Sequence, residues 1–356
     1  MTLNMGFVVT TDTLQVAALK RPLQLIKLTN PAGLSVTLSN LGAGLWSVLM
    51  PDLVPESGSA EKTELLQNYQ DPSHFARNPY YFAVTIGRVA NRIGAAAYMQ
   101  QGKVISLLAN EGPNQLHGGP DGLGCRFWSF DIDQQKDRVS VTFRITSLEG
   151  DQGFPGQLDV QLRYTLLAHH ELVLEYSAVS DKDTPVSLTN HAYWAIGGVG
   201  KGAVLEQQLQ LDADFILALD KQLVPTGELV SATGAFDFKA GKRIGQEIGQ
   251  LENGYDHYFV LNKERDQNTA AALVRDPVSG RTLQLFTDQP GIQFYSGNFL
   301  DGSIVGNQGT PIEKYAALCL EPHGYPNAVN KPNFPTALLK AGQLYRQCSR
   351  FVLGYS

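Results

Sequence analysis

Alternation of apolar and polar residues with a period of two is the feature that most constrains the fold of this chain. The alternation is regular at residues 23–29, 139–145 and 157–166. It places the apolar side chains on one face of an extended chain, so each run predicts a strand with one buried face. The turn residues Asn-Pro-Ala-Gly at 30–33 join the first run to another at 34–39 and predict a hairpin.

Shorter apolar or alternating runs are spread over the rest of the sequence. They predict strands at residues 44–49, 82–86, 172–179, 186–189, 257–261, 272–275, 283–286, 292–295, 317–320 and 351–354. Helix signals are few, and the best lie at residues 61–69 and 243–251. Many short strands separated by turns favour an all-β fold, either an antiparallel β-sandwich or a barrel. No linker or fixed repeat divides the sequence, so residues 1–356 are predicted to form one domain.

Charge and hydropathy narrow the class of partner. The net charge is −6, with Lys+Arg 28 against Asp+Glu 34, and the basic residues form no tract. We therefore expect no binding to nucleic acid and none to an anionic membrane. No apolar run approaches the length of a membrane span, and residues 1–11 lack the features of a signal peptide.

The cysteines indicate the redox setting. Cys125, Cys319 and Cys348 are widely spaced and form no Cys-x-x-Cys pair. An odd number at wide spacing favours reduced thiols over a disulfide framework or a zinc site. Together with the lack of signal-peptide features, this predicts a cytoplasmic protein.

The sequence gives little support for a nucleotide-binding or metal-binding motif. The glycine-rich segments 42–47 and 200–202 match neither a dinucleotide nor a P-loop fingerprint. The seven histidines form no His-Glu-x-x-His and no His-x-His motif. No cofactor and no metal are predicted, although a metal site assembled from distant residues stays open as an alternative. Its candidate ligands are His117, His191, His257 and His323.

The stretch at residues 317–335 is the strongest local candidate for a functional site. An apolar strand at 317–320 ends at the carboxylate of Glu321, and a loop rich in Pro, Gly and Asn follows at once. A strand end followed by a stiff loop can hold a side chain at a fixed place on a rigid scaffold. The alternative is a surface glutamate before an irregular loop.

Other candidates are polar residues in turns or at strand ends. They are Asn91, Arg92, His117, His191, Asp256, Gln293 and Tyr295. The last two are separated by one residue on a predicted strand, so their side chains are expected to share a face. Taken singly, each candidate also has an ordinary structural explanation, such as a surface arginine, a histidine in a turn or a local hydrogen-bond acceptor.

Seven segments, taken together and in order, resemble the aldose 1-epimerase family, also called the galactose mutarotases. They are Gly-Arg-Val-Ala-Asn-Arg-Ile at 87–93, Asn-Gln-Leu-His-Gly-Gly at 114–119, Gly-Phe-Pro-Gly at 153–156, Thr-Asn-His at 189–191, Pro-Thr-Gly-Glu-Leu at 225–229, Gly-Tyr-Asp-His at 254–257, and Glu321 with Ala-Val-Asn-x-Pro-Asn-Phe-Pro at 328–335. Any one of them is weak, but their order spans nearly the whole chain.

The resemblance implies a fold and an activity. The fold would be a large antiparallel β-sandwich, a galactose mutarotase-like supersandwich with a few short helices. The activity would be interconversion of the α and β anomers of free hexoses such as D-galactose and D-glucose, with a small-molecule sugar as the partner and no cofactor. We expect a monomer or a weak homodimer.

The resemblance also implies residue roles. Glu321 resembles the general base and His191 the general acid, two groups that can ionise or titrate near neutral pH. The residues that resemble the sugar-binding groups are Asn91, Arg92, His117, Asp256 and Gln293. We read His117 as a neutral hydrogen-bond donor near the ring oxygen, and we add Tyr295 because it shares a strand face with Gln293.

Two departures from the family pattern flank the proposed base. The family commonly has Glu-Thr-Gln where this chain has Glu321-Pro-His323, and Pro-Asp-Ala where this chain has Pro326-Asn-Ala328. Neither touches the proposed acid or base, and the preferred sugar is left open.

Other functions stay open at this point. One is a glycoside hydrolase with Asp256 and Glu321 as its carboxylate pair. Another is a sugar-binding β-sandwich without catalysis. A phosphosugar epimerase on the same fold would need additional cations, and no basic cluster lies beside the motif segments.

Overall fold

The computed structural model describes residues 6–53, 61–262, 266 and 268–356. Residues 1–5 of the segment assessed for a signal peptide therefore lie outside the described residues. Within the described ranges, β-strands dominate and the helices are short 3₁₀ turns. None of these helices is long and apolar enough to cross a membrane.

The strands are numbered in chain order. They are β1 Val8–Leu14, β2 Leu23–Thr29, β3 Ser35–Ser39, β4 Gly44–Pro51, β5 Lys62–Glu64, β6 Thr85–Ile86, β7 Arg92–Ile93, β8 Ala97–Gln100, β9 Lys103–Ser106, β10 Gln115–Leu116, β11 Ser129–Gln134, β12 Arg138–Ser147, β13 Leu158–Leu167, β14 Glu171–Ser180, β15 Thr184–Pro185, β16 Thr189–Asn190, β17 Gln208–Leu211, β18 Ala213–Leu219, β19 Pro225–Ser231, β20 Lys242–Arg243, β21 Asp256–Leu261, β22 Ala272–Arg275, β23 Arg281–Thr287, β24 Gly291–Tyr295, β25 Cys319–His323, β26 Leu338–Leu339 and β27 Leu344–Tyr355. The 3₁₀ turns lie at Pro72–Ala76, Gly94–Ala96, Leu123–Cys125, Asp151–Gly153, Val204–Glu206, Gly234–Phe236, Ile244–Gln246, Ile248–Gln250 and Ala328–Asn330.

Three large antiparallel sheets carry most of the fold. One has nine strands in the order β11-β12-β13-β14-β27-β23-β22-β17-β20. Two have five strands each, in the orders β1-β2-β3-β4-β5 and β19-β18-β21-β24-β25. Short pairs, β10–β7, β15–β26, β16–β6 and β8–β9, complete the described topology. The prediction of an all-β antiparallel sandwich is confirmed.

Apolar side chains from all three large sheets meet in one buried core. Val36 of β3, Phe143 of β12 and Phe294 of β24 belong to it, and each has 0% of its surface exposed. Alternation within the strands supplies these inward-facing side chains. Full burial of a side chain of this kind stabilises the fold by about 1.5–3 kcal/mol. The three sheets therefore share the interior that the period-two pattern predicts.

The hairpin predicted at the start of the chain is confirmed. β2 and β3 pair antiparallel, with Leu28 opposite Val36. The turn between them is closed by Asn30, whose Oδ1 accepts a hydrogen bond from the backbone N–H of Leu34 at 2.9 Å. Gly33 takes a φ of 90° in this turn, a conformation that residues with a side chain rarely adopt.

Most of the other predicted strands are present, with bounds that are the same, longer or, for the strand predicted at 157–166, shifted by one residue. Those at 44–49, 139–145, 157–166, 172–179, 257–261, 272–275, 283–286, 292–295 and 351–354 correspond to β4, β12, β13, β14, β21, β22, β23, β24 and β27. Two predictions are wrong in extent, because residues 82–86 contain only β6 and residues 186–189 reach a strand only at the first residue of β16. These segments meet distant parts of the chain through short pairs, which a local pattern does not reveal.

The helix predicted at residues 61–69 is wrong. The segment is extended, and β5 pairs with β4. The Glu64 carboxylate accepts hydrogen bonds from the backbone N–H groups of Val48 and Leu66. Pairing with a distant strand therefore overrides the local helix signal.

The helix predicted at residues 243–251 is present only as two 3₁₀ turns. Glu247 separates them, with a φ of −130° that is outside the helical range. Its carboxylate is bound by Nζ of Lys242. The segment is therefore partly helical, but each turn is too short to form a regular α-helix.

The strand that carries Glu321 continues beyond it. β25 runs Cys319–His323, so the prediction that a loop follows Glu321 at once is wrong. Pro322 fits this strand because β25 lies at the edge of its sheet, where one side of the strand has no ladder hydrogen bonds to donate. Glu321 therefore projects from within a rigid strand.

The buried guanidinium of Arg88 ties the segment before β7 to the loop after β12. The residue is 2% exposed. It donates at 2.8–2.9 Å to the carbonyl oxygens of Ser147, Leu148, Pro155 and Gly156. The Gly-Phe-Pro-Gly segment at 153–156 thus supplies acceptors to the arginine, and this contact accounts for its place among the motifs.

Replacing Arg88 with Met is expected to destabilise the fold by at least about 3 kcal/mol, because each orphaned buried carbonyl costs roughly 1–3 kcal/mol. Urea unfolding followed by tryptophan fluorescence measures the change. Arg346→Met is the matched control, since Arg346 is exposed on β27. Equal unfolding midpoints for the two variants would contradict the role assigned to Arg88.

Candidate active site

A cavity of about 300 Å³ opens beside the edge of the sheet formed by β21, β24 and β25. Its opposite wall comes from segments at the short pairs β6–β16 and β7–β10. The structure brings all the residues selected from the sequence to this cavity: Asn91, Arg92, His117, His191, Asp256, Gln293, Tyr295 and Glu321. Distant parts of the chain therefore form one site.

Strand register arranges one wall of the cavity. Gln293 of β24 lies opposite Glu321 of β25, and Tyr295 lies opposite Asp256 of β21. Directly opposite residues project to the same side of a sheet, as do residues two apart on one strand. The prediction that Gln293 and Tyr295 share a face is confirmed, and both line the cavity.

His191 reaches the cavity from the other wall. It directly follows β16, which pairs with β6, and the amide of Asn190 donates to the carbonyl of Ala83 at 3.1 Å. Nε2 of His191 lies 3.7 Å from Oε1 of Glu321. The two residues are 6% and 2% exposed, so both ionisable groups are withdrawn from water.

Burial shifts the pKa of each of the two groups so that its neutral form is favoured. Burial raises the pKa of Glu321 well above its ordinary value; the Asp256 carboxylate adds to the rise and Arg92 opposes it. Burial also lowers the pKa of His191 to about 3; a hydrogen bond to its own backbone carbonyl opposes this, and His323 adds to it. The favoured state is a carboxylic acid beside a neutral imidazole.

Two acceptor atoms in the cavity are buried without a hydrogen-bond partner among the described residues. They are Oε2 of Glu321 and Oε1 of Gln293. A buried acceptor that stays unpaired costs roughly 1–3 kcal/mol. Both lie on adjacent strands facing the cavity, so hydroxyl groups of a bound ligand can satisfy them.

Arg92 is fixed at the cavity by Glu111. Its Nε and Nη2 donate to the two carboxylate oxygens of Glu111 at 2.6 and 2.7 Å. Its Nη1 lies 3.9 Å from Oδ2 of Asp256, and Oδ1 of Asp256 accepts from Nε2 of Gln293 at 2.6 Å. A bidentate pair holds the guanidinium plane in one orientation. Arg92, Asp256 and Gln293 therefore form one ordered polar patch.

His117 presents an N–H group to the site. Its Nδ1 accepts a hydrogen bond from the backbone N–H of Asn91 at 3.2 Å. Burial of the ring lowers its pKa well below the ordinary value, and His191, Arg92 and His323 add to the effect. A neutral ring whose Nδ1 accepts carries its proton on Nε2. His117 is therefore suited to donate to a ligand oxygen.

Local backbone geometry holds His117 against Asn91. The two residues have φ values of 53° and 63°, and the His117 N–H donates to the Asn91 carbonyl at 3.0 Å. Gly118 follows with a φ of 85°, and a Cβ there would lie 2.0 Å from the carbonyl oxygen of Gly87. Glycine is therefore required for the two loops to meet.

A group of possible metal ligands coincides with this site. One donor atom from each of His117, His191 and Glu321 lies within 4.8 Å of the others, whereas His257 and His323 are outside the group. A metal-binding imidazole offers a lone pair and donates its other N–H. The contact from Asn91 assigns the opposite arrangement to His117, so the group suits hydrogen bonding to oxygen better than metal binding.

Comparison with known proteins identifies the family. The profile described as "Aldose 1-epimerase" matches residues 24–351. The chain belongs to the aldose 1-epimerase family. The expected family and enzyme class, an epimerase, are thereby confirmed.

Relatives of this epimerase are similar over most of their length. A galactose mutarotase of Sus scrofa is 36% identical over 309 residues, which cover 86% of this chain and 89% of that protein. An aldose 1-epimerase of Escherichia coli strain K12 is 35% identical over 340 residues, covering 93% and 95%. Among solved structures, an aldose epimerase homologue from C. elegans matches with a TM-score of 0.84 at 31% identity, covering 93% of this chain and 98% of that chain. A galactose 1-epimerase from Lactobacillus acidophilus NCFM matches with a TM-score of 0.83 at 25% identity, covering 98% and 100%.

Two residues at the epimerase site are not among those predicted from the sequence. Glu111, which holds Arg92, lies in a loop just before the motif at 114–119 and has no pattern of its own. Cys319 has its Sγ 3.6 Å from Nδ1 of His191, although its sequence suggests only a buried thiol. Its position two residues before Glu321 is the signal that could have placed it on the same strand face.

Other motif segments support the cavity without lining it. The loop after β25 bonds to two other parts of the chain. Oδ1 of Asn327 accepts from the backbone N–H of Gly94 at 3.1 Å, just after β7. Nδ2 of Asn333 donates to the carbonyl of Gly227 in β19 at 2.7 Å. The loop thereby connects the strand of Glu321 to the segment that follows Arg92.

The departures at Pro322 and His323 do not reach the cavity surface. His323 is 1% exposed, and burial lowers its pKa to about 4, opposed by its hydrogen bond to the Gly324 carbonyl. Its charge would act on the site only through space, by lowering the pKa of His191. Of the two, only His323 therefore influences the electrostatics of the site, and neither residue lines the cavity.

Glu321→Gln is expected to make stability less sensitive to rising pH. The folded-state pKa of Glu321 is raised, so its contribution to stability is present below the unfolded pKa and is lost as pH rises through the folded pKa. Each pKa unit corresponds to about 1.4 kcal/mol of folding free energy, and a glutamine side chain does not titrate. Urea unfolding at about pH 5 and about pH 8 measures the difference.

The exposed Glu228 offers the matched control. Glu228→Gln should keep the pH dependence of the wild type. If Glu321→Gln also keeps it, the carboxyl is not held neutral by burial.

Proposed function

We propose that this enzyme interconverts the α and β anomers of free hexoses such as D-galactose and D-glucose, with Glu321 as general base and His191 as general acid. The observation that carries the proposal is the 3.7 Å distance between Nε2 of His191 and Oε1 of Glu321. The cavity around them is lined by side chains that can hydrogen-bond to sugar hydroxyls. The names of the relatives, galactose mutarotase and aldose 1-epimerase, support the choice of substrate.

The reaction requires two proton transfers at one carbon. Opening the cyclic hemiacetal removes a proton from the C1 hydroxyl and gives one to the ring oxygen. Rotation about the C1–C2 bond and reclosure on the other face reverse both transfers. One base and one acid on either side of C1 can do this if they exchange roles on closure.

The protonation states of the pair match this cycle. Opening begins with a Glu321 carboxylate and a His191 imidazolium and ends with a carboxylic acid and a neutral imidazole. The pKa of Glu321 is raised and that of His191 is lowered, so burial favours the second state. A sugar hydroxyl that donates to Oε2 of Glu321 favours the carboxylate and so restores the starting state.

The remaining groups offer complementary hydrogen bonds to one hexose. Asp256 and Oε1 of Gln293 accept from sugar hydroxyls, while Nη1 of Arg92 donates. Nε2–H of His117 donates to an oxygen near the reacting carbon. Asn91 retains its amide N–H groups for the sugar, because its Oδ1 already accepts from the backbone N–H of Arg92 at 2.7 Å. Tyr295 lines the same wall.

Contacts at the carboxylates favour an epimerase over a glycoside hydrolase. A hydrolase would use Asp256 and Glu321 as its pair. Here Asp256 is bound by Gln293 and approached by Arg92, whereas Oε1 of Glu321 lies 3.7 Å from Nε2 of His191. Asp256 is therefore better suited to binding a sugar than to transferring a proton.

A phosphorylated sugar is less well matched. Among the described residues that line the cavity, Arg92 is the only lysine or arginine. Two of its nitrogens are already bound to Glu111. A phosphate would need a further cation, so a free sugar is the better substrate.

The proposal extends to the organisation and setting of the protein. We propose that residues 1–356 form one domain, which is supported by a core cluster that includes both Phe7 and Leu353. Cytoplasmic location is supported by the free thiols of Cys125, Cys319 and Cys348. A monomer or weak homodimer remains a prediction, to be measured by light scattering.

The activity is tested by following freshly dissolved α-D-glucose and α-D-galactose by polarimetry or NMR. Faster equilibration of the anomers with enzyme than without it is the expected result. Release of the aglycone from an aryl glycoside would instead identify a hydrolase. Sugar binding with no effect on either rate would identify a binding protein without catalysis.

Glu321→Gln and His191→Asn are each expected to lower kcat by about 10²–10⁴-fold, the usual contribution of a positioned proton-transfer group. Sugar binding should change little, because the hydroxyl-binding residues are untouched. The same polarimetric assay measures kcat and KM. His169→Asn is the control, since His169 is exposed and does not line the cavity. Near-normal turnover in either site variant would remove that residue from the mechanism.

A further inference from the structure

Cys319 is a buried polar group that the proposed proton transfers do not use. Its Sγ lies 3.6 Å from Nδ1 of His191, and the residue is 0% exposed. It lies opposite Tyr295 in the β24–β25 ladder, on the strand face that also carries Glu321. One strand therefore places a thiol at Nδ1 of the imidazole and a carboxylate at Nε2.

We infer that Cys319 is a positioning residue for His191, whose thiol holds the Nδ1 side of the ring in both protonation states of the catalytic cycle. The inference deepens the proposed function and rests on the acid role of His191. Cys319 itself need not touch the sugar.

A thiol suits this role because it can both donate and accept a hydrogen bond. Beside the neutral imidazole, the S–H donates to Nδ1, and Nε2 keeps its N–H on the side of Glu321. Beside the imidazolium, the thiol rotates and its sulfur accepts from Nδ1–H. A carboxylate could only accept, so it would require a proton on Nδ1 in both states of the ring.

The thiol keeps its proton in this environment. Burial raises the pKa of Cys319 well above its ordinary value, and the carboxyl groups of Glu321 and Asp256 add to the rise. The role requires an S–H group rather than a thiolate, because a thiolate could not donate to the neutral ring. The surroundings of Cys319 therefore match the inferred function.

Titratable groups face the His191 ring from each element packed against it. They are Glu321 at Nε2, the rings of His117, Tyr81 and Tyr193 at centroid distances of 5.2, 6.0 and 5.1 Å, and His323 through space. None of these is placed at Nδ1 in the described chain. The thiol of Cys319 lies at Nδ1, and the ring also bonds to the backbone carbonyl of His191 itself.

The first test compares Cys319→Ala with Cys319→Ser in the polarimetric assay. Cys319→Ala should lower kcat about tenfold, a part of the roughly 10²–10⁴-fold that a positioned acid supplies, and leave KM nearly unchanged. The pH profile of kcat should shift as well, which a purely structural role would not cause. Cys319→Ser keeps a donor and acceptor and should recover most of the activity.

The second test observes His191 directly in the wild type and does not depend on the folding of a Cys319 variant. Nitrogen-15 NMR of the full-length wild type distinguishes the tautomers of a neutral histidine, and His191→Asn identifies the signal of His191. The expected result is a proton on Nε2 and an accepting Nδ1. Cys348→Ala, which alters an exposed thiol, should leave both the spectrum and kcat unchanged.

The outcomes separate this inference from the proposed function. Wild-type kcat and pH profile in Cys319→Ala, or a proton on Nδ1 of His191 in the wild type, would overturn the positioning role. If His191→Asn is inactive in that case, the acid role survives alone. Normal turnover in His191→Asn would overturn the acid role and the inference together.

Discussion

Withdrawal of a carboxylate and an imidazole from water at a separation of 3.7 Å is the constraint on which the site depends. Charged forms of either group are disfavoured by burial, so the pair avoids unbalanced charge by holding one acidic proton between its members. Transfer of that proton through a sugar leaves the total charge of the pair unchanged. Fixed positions matter for such a transfer, because misplacement of the reacting groups lowers the rate steeply. Glu321 accordingly projects from a strand rather than from a loop.

Residues that never touch the cavity maintain those positions. Arg88 binds four carbonyl groups of a neighbouring loop and so anchors the segment that leads to Asn91 and Arg92. Asn327 also fixes this region, because its side chain joins the loop after Glu321 to the backbone after β7. Several of the segments that mark the family are thus explained by hydrogen bonds between loops. Their side chains act as structural ties, and the cavity residues depend on them for alignment.

Local patterns predict the architecture and the family resemblance selects the residues that line the cavity, but neither predicts the contacts between distant segments. Alternation predicted strands such as β12 and β13 because a strand with one buried face shows its period in its own residues. Residues 61–69 were assigned to the wrong structure because their conformation is set by β4 and by the bonds of Glu64. The family resemblance supplied the roles of Glu321 and His191, which no spacing rule connects. Glu111 and Cys319 were missed because their importance comes only from the residues that they meet in space.

The two walls of the cavity are built from elements of very different length. One wall belongs to a five-stranded sheet, whereas the other rests on pairs of two residues each, β6–β16 and β7–β10. Short pairs are held by few ladder hydrogen bonds, and such regions open at lower free energy than extended sheets. Amide hydrogens around His117 and His191 should therefore exchange with solvent sooner than those of β21 and β24. Local opening of the enzyme would then be one-sided, with the histidine wall moving more readily than the carboxylate wall.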